Sequence, residues 1–127
     1  TWYAITDSRG VCPRGWHIPT DEDWTILTTY LEGKLNEGGS LKETGTIHWA
    51  APNTGATNET DFTALPGGYR FNYGIFSDIG FSGFWWSSSE SSKSMAWGRG
   101  MVNYNNQAVR LKFDKQDGLS VRCIKDN

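Results

Sequence analysis

The apolar positions of this chain change period along its length. Trp24, Leu27 and Leu31 recur at helical spacing, with Ile26 and Tyr30 widening the stripe. That spacing predicts a helix over about 21–32. Its start carries a chemical mark. Thr20 can accept from the backbone N–H three residues on, where Asp23 stands, a variant capping box. Asp21, Glu22 and Asp23 fill the first turn with acids, where the helix dipole favours them. Gly33 is a fitting stop. A second short helix is expected near Ser40, with Glu43 three residues on and Gly45 ending it.

The segments on either side read differently. Trp2, Tyr3, Ala4 and Ile5, followed by the turn Asp7-Ser8-Arg9-Gly10, predict a first strand within 1–11. Cys12 to Pro19 is too rich in Pro and Gly for a regular element. From Gly45 to Gly68 turn chemistry dominates, with Trp49, Phe62 and Leu65 spaced as anchors for a long loop. From Tyr69 onward the period is two. Tyr69–Tyr73, Ile75–Phe81, Phe84–Ser89, Met95–Tyr104, Ala108–Phe113 and Leu119–Ile124 are the expected strands, with Tyr104-Asn105-Asn106-Gln107 as a hairpin turn. Trp85 and Trp86 are adjacent, so they must face opposite sides of their strand, and both are expected in core. Early helices followed by strands joined through short turns define an α+β fold with a twisted antiparallel sheet.

Composition narrows the possibilities. At 127 residues the chain fits a single domain, 1–127. Hydrophobic residues are 37%, and seven Trp, five Tyr and six Phe supply much of the material for a core. Fifteen Gly and the lack of long apolar runs exclude a helical bundle. No stretch approaches ~18 apolar residues, so no membrane span is expected. The beginning of the sequence lacks a signal pattern, so any signal peptide is expected to lie outside it. A net charge of −2 argues against a nucleic-acid partner.

Cys12 and Cys123 stand near opposite ends. They lack histidines at zinc-ligand spacing, which leaves three readings: a mutual disulfide, two buried thiols, or one reactive thiol. A disulfide would close a loop worth roughly 4–5 kcal/mol in the chain-entropy model and would persist in an oxidising compartment. A cysteine–histidine dyad with His17 or His48 is the catalytic option; packing in an approach segment and a loop is the plainer role for these histidines. Asn53, Asn58, Glu59 and Asp61 gather oxygen ligands of the kind calcium takes, but an Asn/Thr-rich turn needs no metal, and no cofactor is expected. Asn58-Glu59-Thr60 also matches a glycosylation sequon.

The stretch from 87 to 110 carries the recognition chemistry. Its Ser-rich run contains Glu90 and Lys93; Trp97, Arg99, Asn103, Tyr104, Asn105 and Arg110 follow. Rigid aromatics, Arg and small polar groups are the residue types that binding loops use. These eight are the expected ligand-binding residues, with a protein or a carbohydrate as ligand.

Five ordered phrases carry a resemblance. They are Cys12-Pro-Arg-Gly-Trp-His-Ile-Pro-Thr-Asp-Glu-Asp-Trp24, Leu41-Lys-Glu-Thr-Gly45, Asn58-Glu-Thr-Asp-Phe-Thr-Ala-Leu-Pro-Gly-Gly-Tyr-Arg70, Phe84-Trp-Trp-Ser-Ser-Ser89 and Ser120-Val-Arg-Cys-Ile-Lys-Asp126. In this order the chain resembles the Fibrobacter succinogenes major paralogous domain, found in secreted and surface proteins of Bacteroidetes and Fibrobacter. Two of the phrases also look like echoes of formylglycine-generating, sulfatase-modifying domains. The resemblance implies a C-type-lectin-like fold with paired termini, and so favours a Cys12–Cys123 disulfide. It implies an extracellular or surface location, with lipoprotein anchoring in a longer protein as one route. The reactive cysteine pair of formylglycine-generating domains has only Cys123 to represent it here. The calcium-dependent sugar signatures of C-type lectins are absent. Some domains that look like this one are variable binding proteins diversified before the Val-Arg-Cys ending. The expectation is therefore a non-catalytic, monomeric ligand-binding or adhesion domain. The alternatives are an enzyme related to formylglycine-generating domains and a structural repeat unit without a ligand.

Overall fold

The helix start is built as a reciprocal pair of hydrogen bonds. In the computed structural model, which describes residues 1–32 and 36–127, the Asp23 N–H donates to Thr20 Oγ1 (3.0 Å) and the Thr20 N–H donates to Asp23 Oδ2 (2.9 Å). The elements in chain order are α1 (Trp2–Ile5), β1 (Trp16–His17), α2 (Asp21–Glu32), α3 (Glu37–Leu41), β2 (Tyr69–Arg70), β3 (Phe76–Ser77), β4 (Ser82–Glu90), β5 (Met95–Val102), β6 (Val109–Asp114) and β7 (Ile124–Lys125). Strands β4, β5 and β6 form one sheet in that order, and β1 pairs β7 and β2 pairs β3 in two small ribbons. All ladders are antiparallel, so the α+β expectation holds. The Gly33 stop lies outside the described residues.

Adjacent tryptophans split the interior. Trp85 packs with Trp24, Leu31, Leu41, Trp49, Ala64, Met101 and Ala108 on one side of the sheet. Trp86 faces the other side with Trp2, Ile5, Ile18 and Ala96. Each indole removes roughly 150–250 Å² from water, and two of them on one strand anchor two cores at once. Cys12 and Cys123 are bonded to each other across a separation of 111 residues, beside the β1–β7 ribbon that joins the two ends of the chain.

Several local expectations change. The second helix, expected to begin near Ser40, spans Glu37–Leu41, and the strands expected at Tyr69–Tyr73 and Ile75–Phe81 shorten to Tyr69–Arg70 and Phe76–Ser77. The first segment is a helical turn, because Trp2 and Ile5, three apart, both enter the second core. Four consecutive apolar residues carry no period to separate turn from strand. Trp49 and Phe62 do anchor the long loop, but Leu65 points outward and Ala64 takes its place in the core. The expected last strand is mostly irregular. Ser120 makes an isolated bridge to Trp85, and only Ile124–Lys125 is regular strand.

One buried charge ties the loops together. Lys42 follows α3 and is fully buried. Its Nζ donates to the backbone carbonyls of Thr54 (2.9 Å), Val102 (3.0 Å) and Asn105 (2.9 Å) and lies 5.3 Å from the centre of the Trp49 ring. Three acceptors match the three donors of an ammonium. Burial lowers the Lys42 pKa to about 8, which leaves it protonated at neutral pH. Gly38 and Gly39 make this approach possible. Their N–H groups donate to Asn106 O (2.8 and 3.2 Å). A Cβ on Gly38 would strike Gln107 O, and one on Gly39 would strike Asn36 Oδ1 and Gly55 O.

Lys42→Met keeps the hydrocarbon stem and removes the donors, leaving three carbonyls unpaired. At about 1–3 kcal/mol for each buried orphan, urea unfolding should show a loss on the order of 3 kcal/mol or more at pH 7. Above pH 8 the folded chain sheds this proton before the unfolded chain does, whose lysine holds it to about 10.5. The unfolded state then binds more protons, so this group makes stability rise with pH between those values. The stability difference between parent and Lys42→Met should therefore widen from pH 8 to pH 10. A flat difference would place the folded pKa at its ordinary value.

Candidate recognition surface

The alternation Tyr69-Arg70-Phe71-Asn72-Tyr73 puts three rings on one side of a short hairpin. Phe71 and Tyr73 stack at 5.0 Å, Tyr69 meets Phe71 edge-on at 4.5 Å, and Tyr69 meets Phe84 at 5.3 Å. Phe84 continues to Phe113 at 5.4 Å, which meets Trp86 at 5.9 Å. A ladder of rings thus runs from the hairpin tip to the second core. Edge-to-face and offset pairs of this kind each add about 0.5–1.5 kcal/mol beyond the area they bury.

Backbone bonds fix the hairpin on its other side. Arg70 and Gly118 exchange N–H···O bonds of 2.8 Å each. The Asn72 N–H donates to Asp117 Oδ1 (2.9 Å), a carboxyl whose pKa burial raises. The Gly80 N–H donates to Pro66 O (2.9 Å), and the Ala50 N–H donates to Gly80 O (2.8 Å). Gly68, at φ +63°, lies so close to the return segment that a Cβ would strike Ser77 O.

What this frame presents is apolar. Tyr73, Ile75, Phe76, Ile79 and Phe81 are each more than half exposed, and Ile47 is 89% exposed. Ile47, Leu65 and Ile79 converge on a shallow groove of about 340 Å³. Large apolar side chains left exposed together on one short segment and its flank mark a candidate contact surface. Sequence reasoning read 69–81 as two strands. The signal available was the lack of charge between Phe71 and Phe81, where Asp78 stands alone.

The eight residues expected to bind ligand lie in three places. Glu90 and Lys93 sit at the β4–β5 turn, where Glu90 pairs with Lys115 Nζ (3.2 Å). Asn103, Tyr104 and Asn105 sit at the opposite end of β5. The eight residues of β5, at about 3.3 Å per residue, separate the two groups by roughly 25 Å. Tyr104 is exposed, whereas Asn103 is buried and donates to Ala51 O (3.1 Å). Asn105 accepts from the Gln107 N–H (3.0 Å) through its side chain. Trp97, Arg99 and Arg110 lie between, on the sheet face beside α2.

Arg99 is the clearest displacement from expectation. Its side chain is buried, and it donates to Asp21 Oδ1 (2.7 Å), Asp21 O (3.2 Å) and Thr25 Oγ1 (3.1 Å). Arg110 meets the same carboxylate through Nε (3.0 Å) and Nη2 (2.7 Å). Its guanidinium carbon sits 3.2 Å from the centre of the Trp97 ring. Asp21 therefore clamps the first turn of α2 to β5 and β6. Desolvation pushes its carboxyl upward, but the hydrogen bonds and charges of Arg110 and Arg99 outweigh that and hold it below the ordinary 3.8.

In the oxygen-rich loop the two asparagine side chains bond to neighbouring loop residues, while Glu59 and Asp61 are exposed. Asn58 Oδ1 accepts from the Thr63 N–H (2.7 Å), and its Nδ2 donates to Thr63 Oγ1 (2.9 Å). Asn53 Nδ2 donates to Glu43 O (2.9 Å) and Gly45 O (2.7 Å). Among the described residues no group of three or more His, Cys, Asp or Glu side chains could hold a metal ion. His17 lies between Asp126 (2.6 Å) and Asp23 (3.3 Å), and His48 meets Glu43 (2.9 Å). Among the described residues no helix is long and apolar enough to cross a membrane.

These features define an α+β domain whose two ends are joined by a disulfide and a two-stranded ribbon. The chain belongs to the Fibrobacter succinogenes major domain family, whose model matches residues 1–125. No curated protein and no solved structure matches it.

Asp21→Asn leaves the buried Arg99 guanidinium without a countercharge and should cost about 3–5 kcal/mol. Arg110→Ala removes an exposed partner of the same carboxylate and should cost at most ~1 kcal/mol. Chemical denaturation at pH 7 measures both, and equal losses would contradict the division of roles. Because the folded pKa of Asp21 is lowered, its contribution is fully present above the ordinary value and fades as pH falls through the folded one.

Proposed function

We propose that this chain is a non-catalytic recognition domain of an exported bacterial protein, with a C-type-lectin-like arrangement, and that it binds a protein partner through the 69–81 hairpin. The observation that carries this reading is the apolar tip. Tyr73, Ile75, Phe76 and Ile79 are held by a ring ladder and backbone bonds, yet stand in solvent. A rigid contact surface loses little conformational entropy on association. The aliphatic share of the patch, Ile47, Ile75 and Ile79, favours a protein over a sugar, since sugars need stacking faces together with hydrogen-bond partners.

Other features support the setting. The pairing of β1 with β7 and the disulfide beside it fit a lectin-like closure of the chain on itself. Such a bond persists outside the reducing cytoplasm. With both cysteines in it, neither thiolate is available for the nucleophilic chemistry of formylglycine-generating domains. The 87–110 stretch enters this reading chiefly as framework, through Arg99, Asn103 and Trp97.

The test is adhesion. Beads coated with the domain are presented to cell monolayers and to a glycan array. The double variant Phe76→Ser/Ile79→Ser should lower cell adhesion at least tenfold, since anchors of this size contribute about 2 kcal/mol or more. Circular dichroism and the thermal midpoint should hold, because both side chains are exposed. The glycan array should stay blank. Adhesion that survives this variant but falls with Lys93→Ala or Tyr104→Ala would move the contact to the ends of the sheet and overturn the assignment.

A further inference from the structure

A second concavity lies on another part of the molecule, along α2. It encloses about 420 Å³, within the range of roughly 300–1,000 Å³ common to small-molecule sites. Trp24 and Leu27 of α2 line it with Phe62 and Ile124, and exposed Ile26 stands at its rim. Two charged side chains, Asp23 and Arg122, reach the lining beside Tyr30, and they differ. The Asp23 carboxylate already accepts from the Thr20 N–H (2.9 Å) and contacts His17 Nε2 (3.3 Å). Arg122 lies 4.2 Å over the Phe62 ring and donates through Nη2 to Phe62 O (2.7 Å). Among the described residues no carboxylate pairs with Arg122.

The groove therefore offers hydrocarbon walls and one cation without a countercharge. We infer that it binds a small amphipathic carboxylate of the fatty-acid type, with the apolar tail along Trp24, Leu27 and Ile124 and the carboxylate on the guanidinium of Arg122. A charged pair flanked by apolar surface gains strength from the lower local dielectric, and a planar guanidinium suits a carboxylate. A peptide segment fits less well. It would carry backbone N–H and C=O groups against an apolar lining, where unpaired amides are costly. This site is separate from the hairpin, so a blank adhesion assay leaves it standing, and its own failure leaves the hairpin reading intact.

The probe is sodium decanoate, followed by amide chemical shifts in the whole chain. Saturable shifts confined to the groove lining, with Trp24, Leu27, Phe62, Arg122 and Ile124 among them, are expected at submillimolar concentration. Decanol, with the same tail and no charge, should bind at least tenfold more weakly, because a hydrogen bond to a charged group is lost, an effect of about 10–100-fold. Arg122→Gln should weaken decanoate by a similar factor and leave decanol unchanged. Ile26→Asp, at the exposed rim, should weaken decanoate without disturbing the fold, and it decides the question together with decanol if Arg122→Gln does not fold. No saturable shift below millimolar decanoate, shifts elsewhere, equal affinity for decanol, or tighter binding of a short peptide ending in Leu would each overturn the inference.

Discussion

An ammonium ion inside a protein is costly unless each of its protons finds an acceptor. Lys42 meets that demand with carbonyls from three separate pieces of chain: the 45–68 loop, the end of β5 and the β5–β6 connection. One ammonium thus joins the 45–68 loop to pieces of chain far from it in sequence. The arrangement constrains its surroundings. Two glycines must stand before Lys42 so that α3 can lie against Asn106, Gln107 and Gly55. The Trp49 ring centre lies 5.3 Å from the cation, and its Nε1 donates to Ala64 O (2.9 Å).

Much of the framework was legible because it rests on local rules. The Thr20–Asp23 box is a four-residue pattern with one geometric solution, and it forms. Adjacent Trp85 and Trp86 can only face opposite sides of a strand, and each has a core to enter. Where the outcome depends on distant packing, the pattern was silent. Residues 2–5 became a helical turn because Trp2 Nε1 donates to Ser87 O (3.0 Å) and its backbone N–H to Lys115 O (3.0 Å), contacts more than eighty residues away. Lys42 looked like one more charged residue in a family phrase. Nothing local marks a lysine that will be buried, since its acceptors come from positions 54, 102 and 105.

The site was harder to read for a related reason. Alternation along β5 separates Trp97, Arg99 and Met101 from Ala96, Gly98 and Gly100, but it does not say which face meets solvent. Residue type suggested an exposed row, whereas α2 covers it. The clue was present in Asp21, which was read only as a helix-dipole acid. A helix with an acid in its first turn can also dock that acid on an arginine, and here one carboxylate serves Arg99 and Arg110 together.

The exposed apolar hairpin gains meaning from how the chain treats its other vulnerable edge. Strand β6 borders the main sheet and leaves one side unpaired. Charged Arg110 and Lys112 stand along it, over the Trp97 ring, and charges on an edge strand discourage unwanted pairing. The same protection is missing from 73–81, where Asp78 is the only charge among the exposed Ile and Phe side chains. A chain that guards one edge and leaves a rigid apolar tip uncovered has not merely failed to bury hydrophobic residues. The ring ladder reinforces the contrast, since Tyr69, Phe71 and Phe84 stiffen a projection that contributes little to either core. Stiffness without burial is useful chiefly to a surface that must meet another surface already shaped.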